Sequence, residues 1–177
     1  MSQKPTLNQS LHQTELLERG DLFLENGRPC HKIGKLMQGV MRGFVLDHDG
    51  QEVTSHFYQE GDMIVGSFIP NIQMSMSIQA LNDCELSVAN YSEVMSLVNT
   101  NQEITDIITR EFQKMNQQLQ ARLVSLLNLD ALEKYERFLE NYPGLLNRIP
   151  HYYVAQYLGV TPTQLSRVRK QFINKCK

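Results

Sequence analysis

Polar and basic side chains recur on one face of a predicted helix near the carboxyl end of the sequence. At about 100° per residue, this face lies opposite the apolar residues of the same helix. Its members are Thr163, Arg167, Lys170 and Asn174, with Ser166 beside them. Such a face can hydrogen-bond base edges in the major groove of DNA. Arg169 lies further round the helix, where it is better placed for a phosphate.

The run Thr161-Pro-Thr-Gln164 predicts where this helix starts. It supplies a threonine cap, proline at the first helical position and glutamine at the third. Gln164 therefore has two interpretations, a capping residue or a base reader, and Arg167 is the stronger candidate reader. The predicted DNA-binding residues are Thr161, Thr163, Gln164, Ser166, Arg167, Arg169 and Lys170.

A second helix must precede this one and hold it in place. Ala155 is small where two helices would cross closely, and Gly159 stands where the turn needs a positive φ. The residues that would fill the shared core are Val154, Leu158, Val160, Leu165 and Val168. The pattern predicts a helix-turn-helix. An ordinary pair of packed helices is the alternative, but it does not require these residue types at these offsets.

Charge is divided unevenly along the chain, whose net charge is −2. Residues 147–177 hold six Lys or Arg and no Asp or Glu, so residues 1–146 carry a net charge of −8. The basic segment coincides with the predicted helix-turn-helix. This places the electrostatic attraction for nucleic acid on that segment alone.

Other chemistry has little support in the sequence. Three widely separated cysteines and five scattered histidines lack metal-ligand spacing, so we expect free thiols, no metal and no cofactor. Glu60 and Asp62 flank a glycine without a partner for acid–base work, and Asp47-His-Asp49 falls in a predicted hairpin turn. We expect no enzymatic activity. The start lacks a signal-peptide pattern and no apolar run is long enough to cross a membrane, which predicts a cytoplasmic protein without membrane contact.

Short strands separated by turn residues fill the first half of the chain. The predicted strands cover residues 21–24, 35–40, 41–46, 52–58, 75–81 and 85–89. Their regular spacing predicts an antiparallel barrel or roll. A short helix is predicted over residues 92–98.

A long helix without Gly or Pro is predicted from about residue 100 to 128. Its narrow apolar stripe, interrupted by Glu111 and Arg122, consists of Ile104, Ile108, Met115, Leu119 and Leu126. The helix would be roughly 40 Å long, more than a small roll could cover, so we expect the stripe to pair with a second chain. The predicted domains are a roll in residues 1–98, a dimerisation helix in 99–129 and a helix-turn-helix domain in 130–177.

The order of these elements resembles the Crp/Fnr family of bacterial transcription regulators. The residues that carry the resemblance are Arg19-Gly-Asp21, Glu25-Asn-Gly27, Gly39, Asp49-Gly50, Gly61-Asp62, Leu158-Gly-Val-Thr-Pro162 and Leu165-Ser-Arg167. The implied fold is α+β: an antiparallel β-roll like a cyclic nucleotide-binding domain (a double-stranded β-helix), a long dimerisation helix and a carboxy-terminal helix-turn-helix domain.

The resemblance implies a homodimer that binds double-stranded DNA at a near-palindromic operator, with its two recognition helices ~34 Å apart. Arg167 matches a base-contacting arginine of the family. Thr163 stands where the family often has an acidic reader, and Pro162 replaces a residue that contacts DNA in some members. The expected operator therefore differs from the best-known one of the family. The sequence ends at Lys177, so we expect no β-wing after the recognition helix and a smaller DNA contact.

The ligand-binding part departs from the family pattern. Members that bind cyclic nucleotides carry a glutamate for the ribose and an arginine for the phosphate after the Gly-Asp turn, but residues 61–78 contain no Arg, Lys or Glu. A buried phosphate without a cation is costly, so we expect a less charged effector or none, and not cyclic AMP. Candidate effector-pocket residues are Val65, Phe68, Met74 and Met76; ordinary core packing explains them equally well.

One alternative function remains open at this point. The roll could bind a ligand while the helix-turn-helix serves as a protein-docking surface. The concentration of basic residues in the helix-turn-helix argues against it.

Overall fold

The computed structural model describes residues 13–67, 69, 72–98 and 100–175. Within this part of the chain, eight strands form two antiparallel sheets, which confirms the predicted roll. The strands are β1 (Gln13–Leu17), β2 (Leu22–Leu24), β3 (Lys32–Gln38), β4 (Met41–Leu46), β5 (Glu52–Tyr58), β6 (Met63–Ile64), β7 (Ser77–Ala80) and β8 (Cys84–Asn90). One sheet has the order β1-β8-β3-β6 and the other β2-β7-β4-β5.

Both sheets contribute to one hydrophobic core. β8 shows the alternation that forms it: Cys84, Leu86 and Val88 are buried, whereas Glu85 and Ser87 between them are partly exposed. Ile33 and Leu36 of β3 and Met41 of β4 belong to the same core. Two-residue alternation therefore positions the interior of the roll.

The strand predictions are correct for β4 and β5, whose bounds match, and incomplete elsewhere. β1 and β6 were not predicted, because β1 is a largely exposed edge strand and β6 has only two residues. β3 starts three residues before the predicted start and ends at Gln38. It stops there because Gly39 has φ +106°, and a Cβ at this position would lie 2.7 Å from the carbonyl oxygen of Asp83.

Five α-helices follow the roll in the described residues. They are α1 (Tyr91–Leu97), α2 (Gln102–Asn128), α3 (Ala131–Asn141), α4 (His151–Leu158) and α5 (Pro162–Lys175), with a 3-10 turn at Leu145–Asn147. The amide of Glu103 donates to Asn101 Oδ1 (3.1 Å) at the start of α2. Asp130 and Glu133 cap α3 reciprocally. None of these helices is both long and apolar enough to cross a membrane.

The contacts divide the chain into two compact units, Met1–Met115 and Asn116–Lys177, so the boundary falls inside α2. In the first unit, Ile104 and Ile108 of α2 are buried in the core of the roll. Lys114 Nζ also donates to Asp62 Oδ1 (2.8 Å) in the turn after β5. The first half of α2 is thus part of the folded roll. The second unit contains the remainder of α2 and helices α3 to α5.

Candidate nucleic-acid interface

The helix-turn-helix is held by a small core of its own. Four of the five predicted core residues are buried, namely Val154, Leu158, Leu165 and Val168, and Val160 is partly buried. Ala155, predicted to be small at the helix crossing, is also buried. α3 adds Tyr135, whose ring packs edge-on against Phe172 of α5 with centroids 5.6 Å apart. The predicted helix-turn-helix is therefore present, and α3 supports it from behind.

Gly159 makes the turn between α4 and α5. It has φ +68°, a left-handed conformation that costs other residues about 1–2 kcal/mol. The amide of Gly159 donates to the carbonyl of Gln156 (3.1 Å), and the amide of Val160 donates to that of Ala155 (3.0 Å). These two bonds form the glycine-terminated helix end that sets the direction of the next helix.

The start of α5 is closed by two reciprocal hydrogen bonds. The amide of Gln164 donates to Thr161 Oγ1 (3.1 Å), and the amide of Thr161 donates to Gln164 Oε1 (2.8 Å). This arrangement is a capping box. It favours the capping interpretation of Gln164, whose side-chain oxygen is engaged.

The outward face of α5 is exposed and rich in donors. Thr163, Ser166, Arg167 and Lys170 are all exposed. Within the described residues, neither Arg167 nor Lys170 forms a hydrogen bond or an ion pair. Two basic side chains are therefore available to an outside partner. Lys175 does not add to them, because its ammonium pairs with Glu136 Oε1 (2.7 Å).

Arg169 differs from its neighbours because it is partly buried and held. Arg169 Nη1 donates to His151 Nδ1 (2.8 Å), and His151 Nε2 lies 3.2 Å from the carbonyl oxygen of Leu146. These contacts fit a neutral imidazole that accepts from Arg169 and donates to Leu146. His151 was not among the predicted site residues. One indication of its role was present in the sequence, namely its position at the start of the helix-turn-helix.

The apolar stripe of α2 divides into a buried and an exposed part. Ile104 and Ile108, predicted as dimerisation residues, are occupied in the core of their own roll, so a partner chain would meet the residues beyond them. The exposed apolar residues on the same side of α2 as the predicted stripe are Phe112, Met115, Leu119, Leu123, Leu126 and Leu127. The prediction omitted Phe112, Leu123 and Leu127, although helical periodicity places them on the same side.

The candidate effector residues are packed inside the roll where the structure describes them. Met74 is buried, and Val65 and Met76 are partly buried against the core. A Cβ on Gly66 would lie 2.5 Å from Met74 Sδ, and one on Gly43 would overlap Met76 Cε. The two methionines thus fill space that these glycines leave open. Phe68 lies outside the described residues.

Arg42 is the one fully buried basic side chain among the described residues, and it is fully engaged. Its guanidinium donates to Gln79 Oε1 (2.7 and 3.0 Å) and Thr54 Oγ1 (3.3 Å), and it pairs with Glu52. It also lies 4.3 Å from the ring centre of Phe44. The hydrogen-bond donors of Arg42 are therefore engaged by side chains of its own sheet.

The thiols and the acidic turn have structural explanations. Burial raises the pKa of the Cys30 and Cys84 thiols, which makes them poor nucleophiles. Asp47, His48 and Asp49 bring potential ligand atoms within 4.8 Å of one another on an exposed turn. Asp47 Oδ1 accepts the amides of Asp49 and Gln51 (both 2.9 Å), so this carboxylate stabilises the hairpin turn.

Comparison with known proteins relates this architecture to a family. Residues 14–101 match the family described as the cyclic nucleotide-binding domain. No curated protein sequence is similar enough to this chain to count as a relative.

Solved structures resemble the chain over most of its length. FixK2 from Bradyrhizobium japonicum has a TM-score of 0.83 at 15% identity, with 92% of this chain and 85% of that chain covered. A protein from Eubacterium rectale assigned to the crp/fnr family of transcriptional regulators has a TM-score of 0.76 at 16% identity, with 97% of this chain and 85% of that chain covered. The c-di-GMP responsive global regulator CLP from Xanthomonas campestris has a TM-score of 0.69 at 15% identity, with 92% of this chain and 87% of that chain covered. At these identities the likeness shows a shared fold.

Proposed function

Because residues 14–101 belong to the cyclic nucleotide-binding domain family and the chain has the fold of the Crp/Fnr regulators, we propose that it is a DNA-binding transcription regulator. In this proposal it binds a near-palindromic operator as a homodimer, without cyclic AMP as effector, and acts in the cytoplasm. It performs no catalysis.

The outward face of α5 is the observation that carries the proposal. The capping box fixes the start of the helix, and the buried Leu165 and Val168 fix its rotation, so Thr163, Arg167 and Lys170 face away from the protein. A rigid helix that presents an arginine and hydroxyl groups near its start suits major-groove readout, in which arginine recognises guanine. Arg169, held by His151, is suited to a phosphate.

The exposed apolar side chains of α2 support the homodimer. Phe112, Leu119 and Leu123 lie within about 20° of a common line on the helix surface at 100° per residue. They are between 46% and 64% exposed in the single chain. A helix face of this kind is typical of a chain-to-chain seam, and a second copy would place two α5 helices on one DNA site.

The absence of a cation in residues 61–78 and the packing of Met74 and Met76 support an effector other than cyclic AMP, or none. Arg42 is committed to Gln79, Thr54 and Glu52, so it is not a substitute phosphate ligand. We expect titration calorimetry with cyclic AMP to give no binding heat. A saturable heat at micromolar ligand would contradict this part of the proposal.

Selection of bound fragments from a random double-stranded DNA pool tests the DNA-binding function. We expect enrichment of a two-fold symmetric motif whose binding weakens steeply as salt increases. If only weak, sequence-independent binding is found, the proposal fails, and the docking function for the helix-turn-helix takes its place.

Arg167→Ala then tests the assignment of the reader. We expect a loss of ~1–3 kcal/mol in discrimination at one base pair of each half-site. Arg137→Ala is the matched control, since Arg137 is exposed on α3 of the same unit. Competition titrations with single-base operator variants measure the effect. An equal loss on every DNA sequence would make Arg167 a phosphate contact instead.

A further inference from the structure

Arg122 interrupts the apolar stripe of α2, and the structure shows what it does there. Its guanidinium carbon lies 3.9 Å from the ring centre of Tyr157 on α4. Both residues belong to the second compact unit. A planar cation this close to an aromatic face forms a cation–π contact. Arg122 therefore joins the end of the long helix to the helix-turn-helix.

Tyr157 is a fixed partner because it belongs to an aromatic cluster. Its ring centre lies 5.8 Å from that of Phe138 and 5.7 Å from that of Tyr142, and these two rings are 5.4 Å apart. Phe138 is buried in the core behind α4 and α5. Arg122 thus docks on the rigid centre of the DNA-binding unit rather than on a surface loop.

A second contact lies one turn further along α2. Leu126 Cδ2 lies 3.5 Å from the position that a Cβ on Gly159 would occupy. Gly159 is the residue that turns the chain from α4 into α5. Arg122 and Leu126 are four residues apart and therefore neighbours on one side of α2. This side meets the helix-turn-helix. Leu126 lies beside the exposed apolar residues of α2, whereas Arg122 lies about 80–100° round the helix from Phe112 and Leu123.

We propose that Arg122 is a positioning residue that fixes the orientation of α5 relative to the dimerisation helix and thereby sets the half-site spacing read on DNA. The statement about spacing rests on the proposed function above; the statement about orientation does not. This proposal explains why a charged residue interrupts the apolar stripe of α2: Arg122 occupies that position to orient α5.

The orientation is measured without DNA by labelling one chain twice. Spin labels at Gln118→Cys on α2 and Asn174→Cys on α5, in a Cys176→Ser background, report the distance between the two helices. Labelled chains are diluted with unlabelled protein, so only distances within one chain contribute. We expect a narrow distance distribution in the parent and a broadened one in Arg122→Met. Without the cation–π contact, the equilibrium constant that favours the docked arrangement of α2 on the helix-turn-helix falls by about fivefold to thirtyfold.

Two further variants separate the contact from general effects on the helix. Arg110→Met is the matched control, since Arg110 is exposed on α2 and its Nε donates to the carbonyl of Asp106 in the same helix (3.2 Å). It should leave the distance distribution unchanged. Arg122→Lys keeps a cation above Tyr157 and should restore part of the narrow distribution. An unchanged distribution in Arg122→Met, with the variant folded, would overturn the proposal.

The DNA measurement uses the selected operator with its natural spacer and with spacers one base pair longer or shorter. We expect the parent to prefer the natural spacer. Arg122→Met should lose most of this preference while keeping the same base preferences within each half-site and the same dimer mass. A retained spacer preference would refute the inference. If instead the parent selects no symmetric site, the DNA function fails, and the distance measurement still decides whether Arg122 positions α5.

Discussion

Leu119→Ala tests the proposed dimer seam most directly. Leu119 is 64% exposed in the single chain. Full burial of a leucine is worth about 1.5–3 kcal/mol, so covering its exposed part contributes about 1–2 kcal/mol per chain. In a symmetric dimer the residue occurs twice, so the variant should weaken association by about 2–4 kcal/mol, or about 30- to 700-fold in the dissociation constant.

Val124→Ala is the matched control for this experiment. Val124 is 51% exposed on the same helix, but it lies about 140° round the helix from Leu119. Sedimentation equilibrium over a range of concentrations measures both dissociation constants. We expect a large increase for Leu119→Ala and little change for Val124→Ala. Equal changes in the two variants, or none in the first, would refute the assignment of the seam to this face.

Three further predictions concern stability and reactivity. Gly159→Ala should destabilise the helix-turn-helix by about 1–2 kcal/mol because of its positive φ, and Gly159→Asn should cost less. Unfolding followed by tyrosine fluorescence tests this, because five of the seven tyrosines lie after residue 130. The pKa of Lys114 is raised: burial lowers it, but the hydrogen bond to Asp62 and the nearby carboxylates outweigh that effect. Because the pKa is higher in the folded state, the ion pair stabilises the fold fully below the pKa of lysine in the unfolded chain, about 10.4. This stabilisation is lost as the pH rises through the folded-state pKa. Urea titrations should therefore show the parent losing its advantage over Lys114→Met above about pH 10; a constant difference would contradict the ion pair. Because burial raises their pKa, the Cys30 and Cys84 thiols should react with iodoacetamide only when the roll unfolds. In a Cys176→Ser variant, rapid alkylation of the native protein would be evidence against their burial.

The sequence predicts best those elements whose residues act locally. The cap at Thr161, the glycine turn at Gly159 and the bounds of β4 and β5 depend on neighbouring residues, and the structure agrees with them. The long helix begins two residues after its predicted start and ends where predicted.

Features that depend on distant contacts were not predictable. β1 carries a weak apolar pattern and is defined by its pairing with β8, and β6 is defined by its pairing with β3. Periodicity identified the stripe of α2 but could not show that Ile104 is taken by the roll. The aromatic partner of Arg122 lies 35 positions along the chain, so the sequence showed only that a charge interrupts the stripe.

In α5, the proposed recognition helix, the residues that hold the helix in place differ from those proposed to contact DNA. Thr161 and Gln164 cap the helix through reciprocal hydrogen bonds, and the buried Leu165 and Val168 pack it against the protein. The side chains on the outward face take no part in these contacts. Residues 163, 166, 167 and 170 can then be exchanged together while the helix stays in place. A library that varies these four positions among residues other than Gly and Pro should yield proteins with new DNA preferences and nearly unchanged melting temperatures. Divergence of this kind would let duplicated copies of one regulator acquire separate sets of target genes by a few substitutions.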